Sequence, residues 1–391
     1  MKVSVIGSGI VAVLVGFGSS VAIVIAGAQA VGADAGQVAS WVSGLCIAMG
    51  VSSAYLSYRH KMPMITAWST PGAALIGATA VGGVPTIGIE AAVGSFLFAA
   101  VLILLSAAVK PLNDAISKIP TAIAAAMLGG VLIGFSVAVF DAARADPILV
   151  LPLVGLYLVM RLMSATWAVI VVLAAAVAWS FILGRVGELP DGLALSHFEL
   201  IVPSFDPAAL IGLGLPLFLV SMASQNLPGF AVMKAAGYQP PTRSALGVTG
   251  LVSLLTAPFG SHTTTMAAIT ASLCAGPDTH PDPAKRWPSG VISGAIWLVF
   301  AAIGVSIVSG FAALPPAVLV TVAGLALLGP LMASLSTALA PTETRFAAIL
   351  TVAVTASSLS LFGIGAAFWG LVAGLATLGL ETLARRLRKP A

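Results

Sequence analysis

The sequence predicts an all-α polytopic membrane protein with fourteen transmembrane spans, arranged as two inverted halves of seven. Three observations predict it: an apolar composition, a chain that divides into helix-length apolar stretches, and basic residues confined to alternate connections. Of 391 residues, 59% are hydrophobic and 8% charged, against about 25% charged in an ordinary soluble domain. A soluble fold of this length cannot bury that much apolar surface, so lipid is the solvent for most of the chain. The 41 glycines and 24 prolines agree, because membrane helices tolerate both better than soluble ones.

A helix needs about 20 apolar residues to cross the hydrocarbon core. Spans read between charges and turn residues fall at 5–30, 38–57, 64–80, 88–109, 118–140, 147–161, 165–184, 207–233, 244–257, 262–275, 288–309, 314–333, 344–361 and 364–384. Lys2 precedes a long apolar run that has neither the short core nor the small-residue site of a cleaved signal peptide, so that run is read as the first span, retained. An even number of spans puts both termini on one side. With the termini cytoplasmic, the inner segments hold 15 of the 17 basic residues, and only Arg144 and Arg185 lie outside. That asymmetry is the positive-inside pattern of a multi-pass protein of the bacterial inner (cytoplasmic) membrane. It also accounts for the pI near 9.3 without nucleic acid, since the charges lie singly or in pairs, apart from the C-terminal group Arg385, Arg386, Arg388 and Lys389.

The longest outer connection, about 185–206, carries Glu188, Asp191, Glu199 and Asp206 and falls halfway along the chain. Seven is odd, so the second half is inverted relative to the first, a common plan for secondary transporters. The third span of each half is short and interrupted by proline and glycine: Met62 to Gly72 in the first, Ala257 to Thr265 in the second. Paired interrupted spans are the sequence pointer to a transporter's binding site. In the first, Ile65 to Trp68 is extended in character, and Ser69-Thr70-Pro71 reads as a hydroxyl cap with proline at the helix start. In the second, Pro258 and Gly260 break the chain, and Ser261 or Thr263 is expected to cap a helix running through Met266 to Cys274. Two half-helix starts near the midplane favour an anion. His262 is the one ionisable residue between them, with an ordinary pKa near 6.5; Glu90 and Asp141, near outer span ends, are the other proton-coupling candidates. In the eighth span Ser221, Ser224 and Gln225 share a helix face, Asn226 follows, and Pro228 and Gly229 suggest a break. Gln29 is their counterpart in the first span. Trp68, Phe230 and Phe259 offer an aromatic surface for a ring.

The strings Pro63-Met64-Ile65-Thr66-Ala67-Trp68-Ser69-Thr70-Pro71-Gly72-Ala73-Ala74, Ser224-Gln225-Asn226-Leu227-Pro228-Gly229-Phe230 and Phe259-Gly260-Ser261-His262-Thr263, with Gly276-Pro277-Asp278 and Pro281 to Trp287, resemble the benzoate–proton symporter (BenE) family. The resemblance covers essentially the whole chain. It implies the seven-plus-seven fold shared with uracil permeases and sulfate-type anion carriers, with a core domain at approximately 1–110 and 205–310 and a gate domain at approximately 111–204 and 311–391. Substrate would sit between the third and tenth spans, with the eighth alongside. Uracil permeases offer an acidic residue from the eighth span. Ser224 stands there in this chain, and its neutrality suits an anion.

The expected function is therefore uptake of benzoate or a related aromatic carboxylate with a proton, by alternating access. The alternatives are a passive anion channel or exchanger, or a nucleobase-type permease on the same fold. The expected substrate-binding residues are Thr66, Trp68, Ser69, Thr70, Ser221, Ser224, Gln225, Asn226, Phe259, Gly260, Ser261, His262 and Thr263. A homodimer is compatible with this reading. No cofactor, metal or enzymatic activity is expected. Gly7-Ser8-Gly9-Ile10-Val11-Ala12 matches a dinucleotide fingerprint only as a string, inside a span. Asp278, His280 and Asp282 fall in a proline-rich inner loop rather than a metal-ligand pattern. Cys46 and Cys274 sit in apolar stretches as small buried hydrophobes.

Overall fold

The computed structural model describes residues 2–81, 84–109, 120–189, 192–357 and 359–388. Lys110, Lys118, Asp191 and Lys389 lie outside the described residues, as do the side chains of Arg385, Arg386 and Arg388. The described residues are mostly helical. Its helices are α1 (Val3–Ala30), α2 (Ala35–His60), α3 (Thr70–Gly77), α4 (Ile89–Ala108), α5 (Thr121–Ala145), α6 (Pro147–Met163) and α7 (Ala165–Ile182), followed by α8 (Pro207–Ala235), α9 (Thr242–Thr256), α10 (Ile269–Ala275), α11 (Pro288–Ala302), α12 (Gly304–Ala312), α13 (Pro316–Leu339), α14 (Arg345–Ala356) and α15 (Ala366–Arg388). The short strands are β1 (Thr66–Trp68), β2 (Ala80–Val81), β3 (Val84–Pro85) and β4 (Thr264–Met266).

Among the described residues, seven helices are long and apolar enough to cross a membrane: α1, α2, α4, α5, α8, α13 and α15. An eighth crossing arises if the segment Pro283–Ala302 and α12, bent by 64° at their junction, count as one. Two of the remaining apolar stretches are short because part of each is strand. The third spends residues on β1 and leaves α3 only 8 residues, about 12 Å at 1.5 Å per residue. The tenth likewise divides into β4 and a 7-residue α10.

Two features of α8 follow from its prolines. The helix widens into π-turns at Leu210–Gly214 and Met222–Asn226, and each leads into a segment with proline in its first turn, Pro216 and Pro228. Proline lacks the N–H and its ring clashes with the carbonyl four residues back, and a wider turn accommodates both. The break expected at Pro228 and Gly229 is thus a widening of a continuous helix. Gly229 has its own reason: a Cβ there would stand 2.7 Å from Met266 Cβ, so α8 rides directly on β4.

The helices fall into two packed groups. In one, α2 packs on α11, α4 on α9, and α1 on α3 and α11. In the other, α5 packs on α13 and α14, α14 on α15, and α6 on α7. The groups touch where α1 meets α13 and where α5 meets α3 and the Met222–Asn226 turn. At one end of the molecule Ser4 bonds the Thr279 carbonyl and His60 bonds Ser244. At the other end the long connection folds inward, with Ser204 N–H on the Glu90 carbonyl and Ile201 N–H on the Pro258 carbonyl.

Candidate functional site

The site is built around two strands from distant parts of the chain. β1 and β4 pair antiparallel, with Thr66 opposite Met266, Ala67 opposite Thr265 and Trp68 opposite Thr264. The ladder runs on at both ends through Ser69 N–H to the Thr263 carbonyl (2.9 Å) and Ala267 N–H to the Ile65 carbonyl (3.0 Å). Extended backbone deep in a membrane protein survives only when its polar groups are satisfied by protein, and neighbouring helices supply that. On α2, Ser53 Oγ accepts the Thr66 N–H at 2.9 Å and Ser57 Oγ accepts the Met64 N–H at 3.0 Å. On α9, Ser253 Oγ accepts the Thr264 N–H at 2.8 Å. On α8, Asn226 Oδ1 accepts the Met266 N–H at 2.9 Å. Thr66 and Asn226 therefore hold the strands in place; the Thr66 hydroxyl is itself engaged by Ser52 and Ser53 at 2.7 and 2.8 Å.

Where the strands leave the ladder, four of the expected residues meet. Ser69 Oγ accepts the Gly72 N–H at 3.1 Å and caps α3. Ser221 Oγ donates to Ser69 Oγ at 3.1 Å and lies 2.7 Å from Thr263 Oγ1. His262 is fully buried between Trp41 and Phe96. Its Nδ1 accepts the Trp41 Nε1–H at 3.0 Å, which leaves Nε2 to donate to the Ser69 carbonyl at 3.1 Å. That pair of partners fixes a neutral imidazole tautomer.

Several expectations need correction. The cap is Ser69, with Thr70 as first and Pro71 as second helical residue, so Thr70 is not a cap. Neither Ser261 nor Thr263 caps a helix: the chain stays extended through Met266, α10 starts at Ile269, and its N-cap position, Ala268, has no side chain to offer. Ser261 Oγ instead donates to the Trp41 carbonyl at 3.1 Å. The strand pairing decides this, because residues spent on a ladder are not available to start a helix. Free backbone donors are also scarcer than a half-helix start implies. Pro71 has no N–H, and the Gly72 and Ala73 N–H groups are taken by the Ser69 side chain and carbonyl.

The three aromatic side chains expected to face a ring have protein partners. Trp68 turns into the core, donating to Ser20 Oγ at 2.8 Å and packing on Phe17 and Trp297. Phe230 is buried, and Phe259 packs on Phe198 of the long connection. Gly260 has φ +88° and lies against Trp41, where a side chain would be strained. Glu90 and Asp141 are exposed. Gly7 to Ala12 lie within α1. In the loop before α11, Asp282 caps the turn at Ala284 and His280 Nδ1 accepts the Asp282 N–H.

The polar side chains that remain available are Thr70, Ser224 and Gln225. All three are half-buried and make no hydrogen bond among the described residues. Ser224 and Gln225 belong to the π-turn of α8 that meets α5, and π-turns concentrate at functional sites. Sequence reasoning missed Trp41, Phe96, Ser20 and the α2 serines. A usable signal was present for the serines, since Ser53 and Ser57 stand four residues apart on one helix face; for Trp41 the signal was an indole N–H that needs a buried acceptor.

A family described as benzoate membrane transport protein (BenE) matches residues 1–380. An inner membrane protein of Escherichia coli (strain K12), YdcO, is 38% identical over 367 residues, covering 94% of this chain and 93% of that protein. The benzoate membrane transport protein of Acinetobacter baylyi (strain ATCC 33305 / BD413 / ADP1) is 33% identical over 368 residues, covering 94% of this chain and 92% of the relative. Among solved structures, the transmembrane domain of the cyanobacterial bicarbonate transporter BicA superposes with a TM-score of 0.61 at 14% identity, over 95% of this chain and 97% of that one. SLC26A9 superposes with a TM-score of 0.64 at 13% identity, over 96% of this chain and 65% of that one. At these identities the structures share the fold: a mostly helical, multi-pass membrane architecture of the BicA and SLC26 type. The chain is a membrane transporter, not an enzyme, and belongs to the benzoate membrane transport (BenE) family.

Proposed function

We propose that this protein imports benzoate, or a related aromatic carboxylate, together with a proton across the bacterial inner membrane by alternating access. The observation that carries the reading is the seam where β1, β4 and α8 meet. Buried hydroxyls at Ser69, Ser221 and Thr263 adjoin His262, and Thr70, Ser224 and Gln225 stand nearby in sequence with unused donors. Neutral donors without a fixed carboxylate suit an anionic guest. The name of the Acinetobacter relative points to the same substrate.

The transport cycle follows from a fourteen-span, seven-plus-seven inverted plan with both termini cytoplasmic. One feature supporting the repeat is that each strand is anchored in the same way, by a serine of the preceding helix accepting the first strand N–H: Ser53 for Thr66 and Ser253 for Thr264. The group containing α1 to α4 and α8 to α11 acts as the core and the remainder as the gate. The site lies where α5 approaches α3 and the Met222–Asn226 turn, so motion between the groups opens it to either side.

A benzoate anion entering a cell with a negative interior moves against the potential, at about 2.3 kcal/mol per charge per 100 mV. One proton cancels that charge. His262 is our first candidate to carry it, with Glu90 and Asp141 next. Taking up a second proton at Nδ1 requires the Trp41 N–H to leave, so protonation of His262 and rearrangement of α2 against β4 go together.

The test is benzoate uptake into proteoliposomes with and without an imposed proton gradient. Accumulation that needs the gradient supports symport. The fold likeness to anion carriers gives exchange a specific claim, and counterflow without net proton uptake would favour it.

A further inference from the structure

A cavity of about 810 Å³ opens between α3, α5 and the segment joining α14 to α15, within the usual range for ligand pockets, roughly 300 to 1,000 Å³. It lies toward the end of the molecule that carries the long connection. Its floor includes Leu75 of α3, and one wall is a face of α5 formed by Gly130, Gly134, Phe135 and Asp141. Phe135 is the one aromatic side chain among its described lining residues.

The surroundings of Phe135 fix the ring and leave room beside it. Its Cζ lies 2.6 Å from where a Cβ on Gly77 would stand, so the ring tip rests on bare α3 backbone. Behind it, its carbonyl lies 2.5 Å from where a Cβ on Gly324 would stand, so α13 braces this part of α5. On the open side Gly134 is exposed, and a Cβ there would meet nothing within 4 Å. A ring tip held against one bare backbone, on a helix braced by α13 and next to empty space lined by glycine, is shaped to receive a second flat ring.

We infer that Phe135 recognises the ring of the transported acid and sets the preference for aromatic over saturated substrates. This rests on the aromatic-carboxylate reading above. It also resolves where ring recognition comes from, since Trp68 and Phe230 are committed to the core and Phe259 packs on Phe198. Asp141, the one charged side chain among the described lining residues, stands six residues along α5, about 9 Å nearer the mouth at 1.5 Å per residue. Its charge disfavours a carboxylate there. The substrate's ring accordingly lies with Phe135, and its carboxylate points away from Asp141, toward the Leu75 end of the cavity, from which α3 runs back to Thr70.

The experiment compares uptake of benzoate and cyclohexanecarboxylate, two acids of similar size and charge, in proteoliposomes of the wild type, Phe135→Leu and Gly134→Leu. Ring–ring contacts beyond simple burial are worth roughly a threefold to tenfold preference. The wild type is expected to favour benzoate by about that factor in kcat/KM, and Phe135→Leu, which keeps apolar bulk, is expected to erase the preference while still carrying both acids. Gly134→Leu starts its side chain where a Cβ meets nothing within 4 Å and raises helix propensity, so it should fold and raise KM for both acids. An unchanged benzoate preference in Phe135→Leu, or an unchanged KM in Gly134→Leu, overturns the assignment. If the wild type carries neither acid, the aromatic-carboxylate reading itself fails, and this inference with it.

Discussion

At Ser69 one side chain and its own carbonyl hold four partners: the Gly72 and Ala73 N–H groups, the Ser221 hydroxyl and His262 Nε2–H. Its neighbour Thr70 holds none. The two residues therefore fail in different ways. Ser69→Ala removes a helix cap, worth about 0.5–2 kcal/mol, and is expected to lower thermal stability as well as benzoate affinity. Thr70→Ala is expected to weaken benzoate binding with the melting temperature unchanged, because it removes a free hydroxyl and no internal bond. Thermal denaturation in detergent alongside binding separates the two; a Thr70→Ala protein with normal affinity moves the carboxylate contact to Ser224 and Gln225. At His262 the informative change is to Gln, which keeps a donor for the Ser69 carbonyl but cannot titrate. His262→Gln is expected to exchange benzoate but not to accumulate it against its gradient. Full accumulation with wild-type pH dependence would transfer the coupling role to Glu90 or Asp141, tested next as Glu90→Gln and Asp141→Asn.

The strand pair is the element on which the site depends, and it is held by side chains rather than by a sheet. Two three-residue strands have no independent stability. Asn226→Ala leaves the Met266 N–H buried without an acceptor, a loss of about 1–3 kcal/mol. The expected result is a protein that inserts but binds benzoate weakly, read by binding in detergent and by the yield of monodisperse protein. Gly229→Val should be harsher, because its Cβ has to enter space held by Met266. In the connection between α10 and α11, the turn at Pro283–Lys285 depends on Asp282. The Ala284 N–H, with Lys285 and His280 nearby, holds its carboxyl below its ordinary 3.8 despite some desolvation. A lowered folded-state pKa means that the contribution is present above 3.8 and lost as pH falls through the lowered value. The protection factor of the Ala284 amide, its exchange rate corrected for the intrinsic pH dependence, should hold at neutral pH and fall only in that acid range.

For the whole molecule, the testable consequence is orientation. The proposed plan, with both termini cytoplasmic, requires the long connection near Gly192 to face outward and the loop near Ala284 inward. The native cysteines are buried, so they leave a quiet background for labelling. Gly192→Cys is expected to react with an impermeant maleimide on intact cells, and Ala284→Cys only after permeabilisation. The opposite result would reverse the transport direction inferred above.

Composition and charge alone determined that lipid is the solvent, because an unpaired apolar surface of this size has no other home. The residue order also marked both interrupted stretches and the polar face of α8, since proline, glycine and clustered hydroxyls depart from an apolar background. What the tertiary structure decided was the use of those residues. Strand pairing between Thr66–Trp68 and Thr264–Met266 joins positions about 200 apart in the chain, and no local propensity encodes it. That pairing took Ser261 and Thr263 away from helix capping, turned Trp68 into the core and left Ser69 alone as the cap. The same long-range packing set Phe135 against Gly77. A residue's type fixes which bonds it can make; which partner it meets is fixed only when distant segments close together and every buried polar group must find an acceptor or donor.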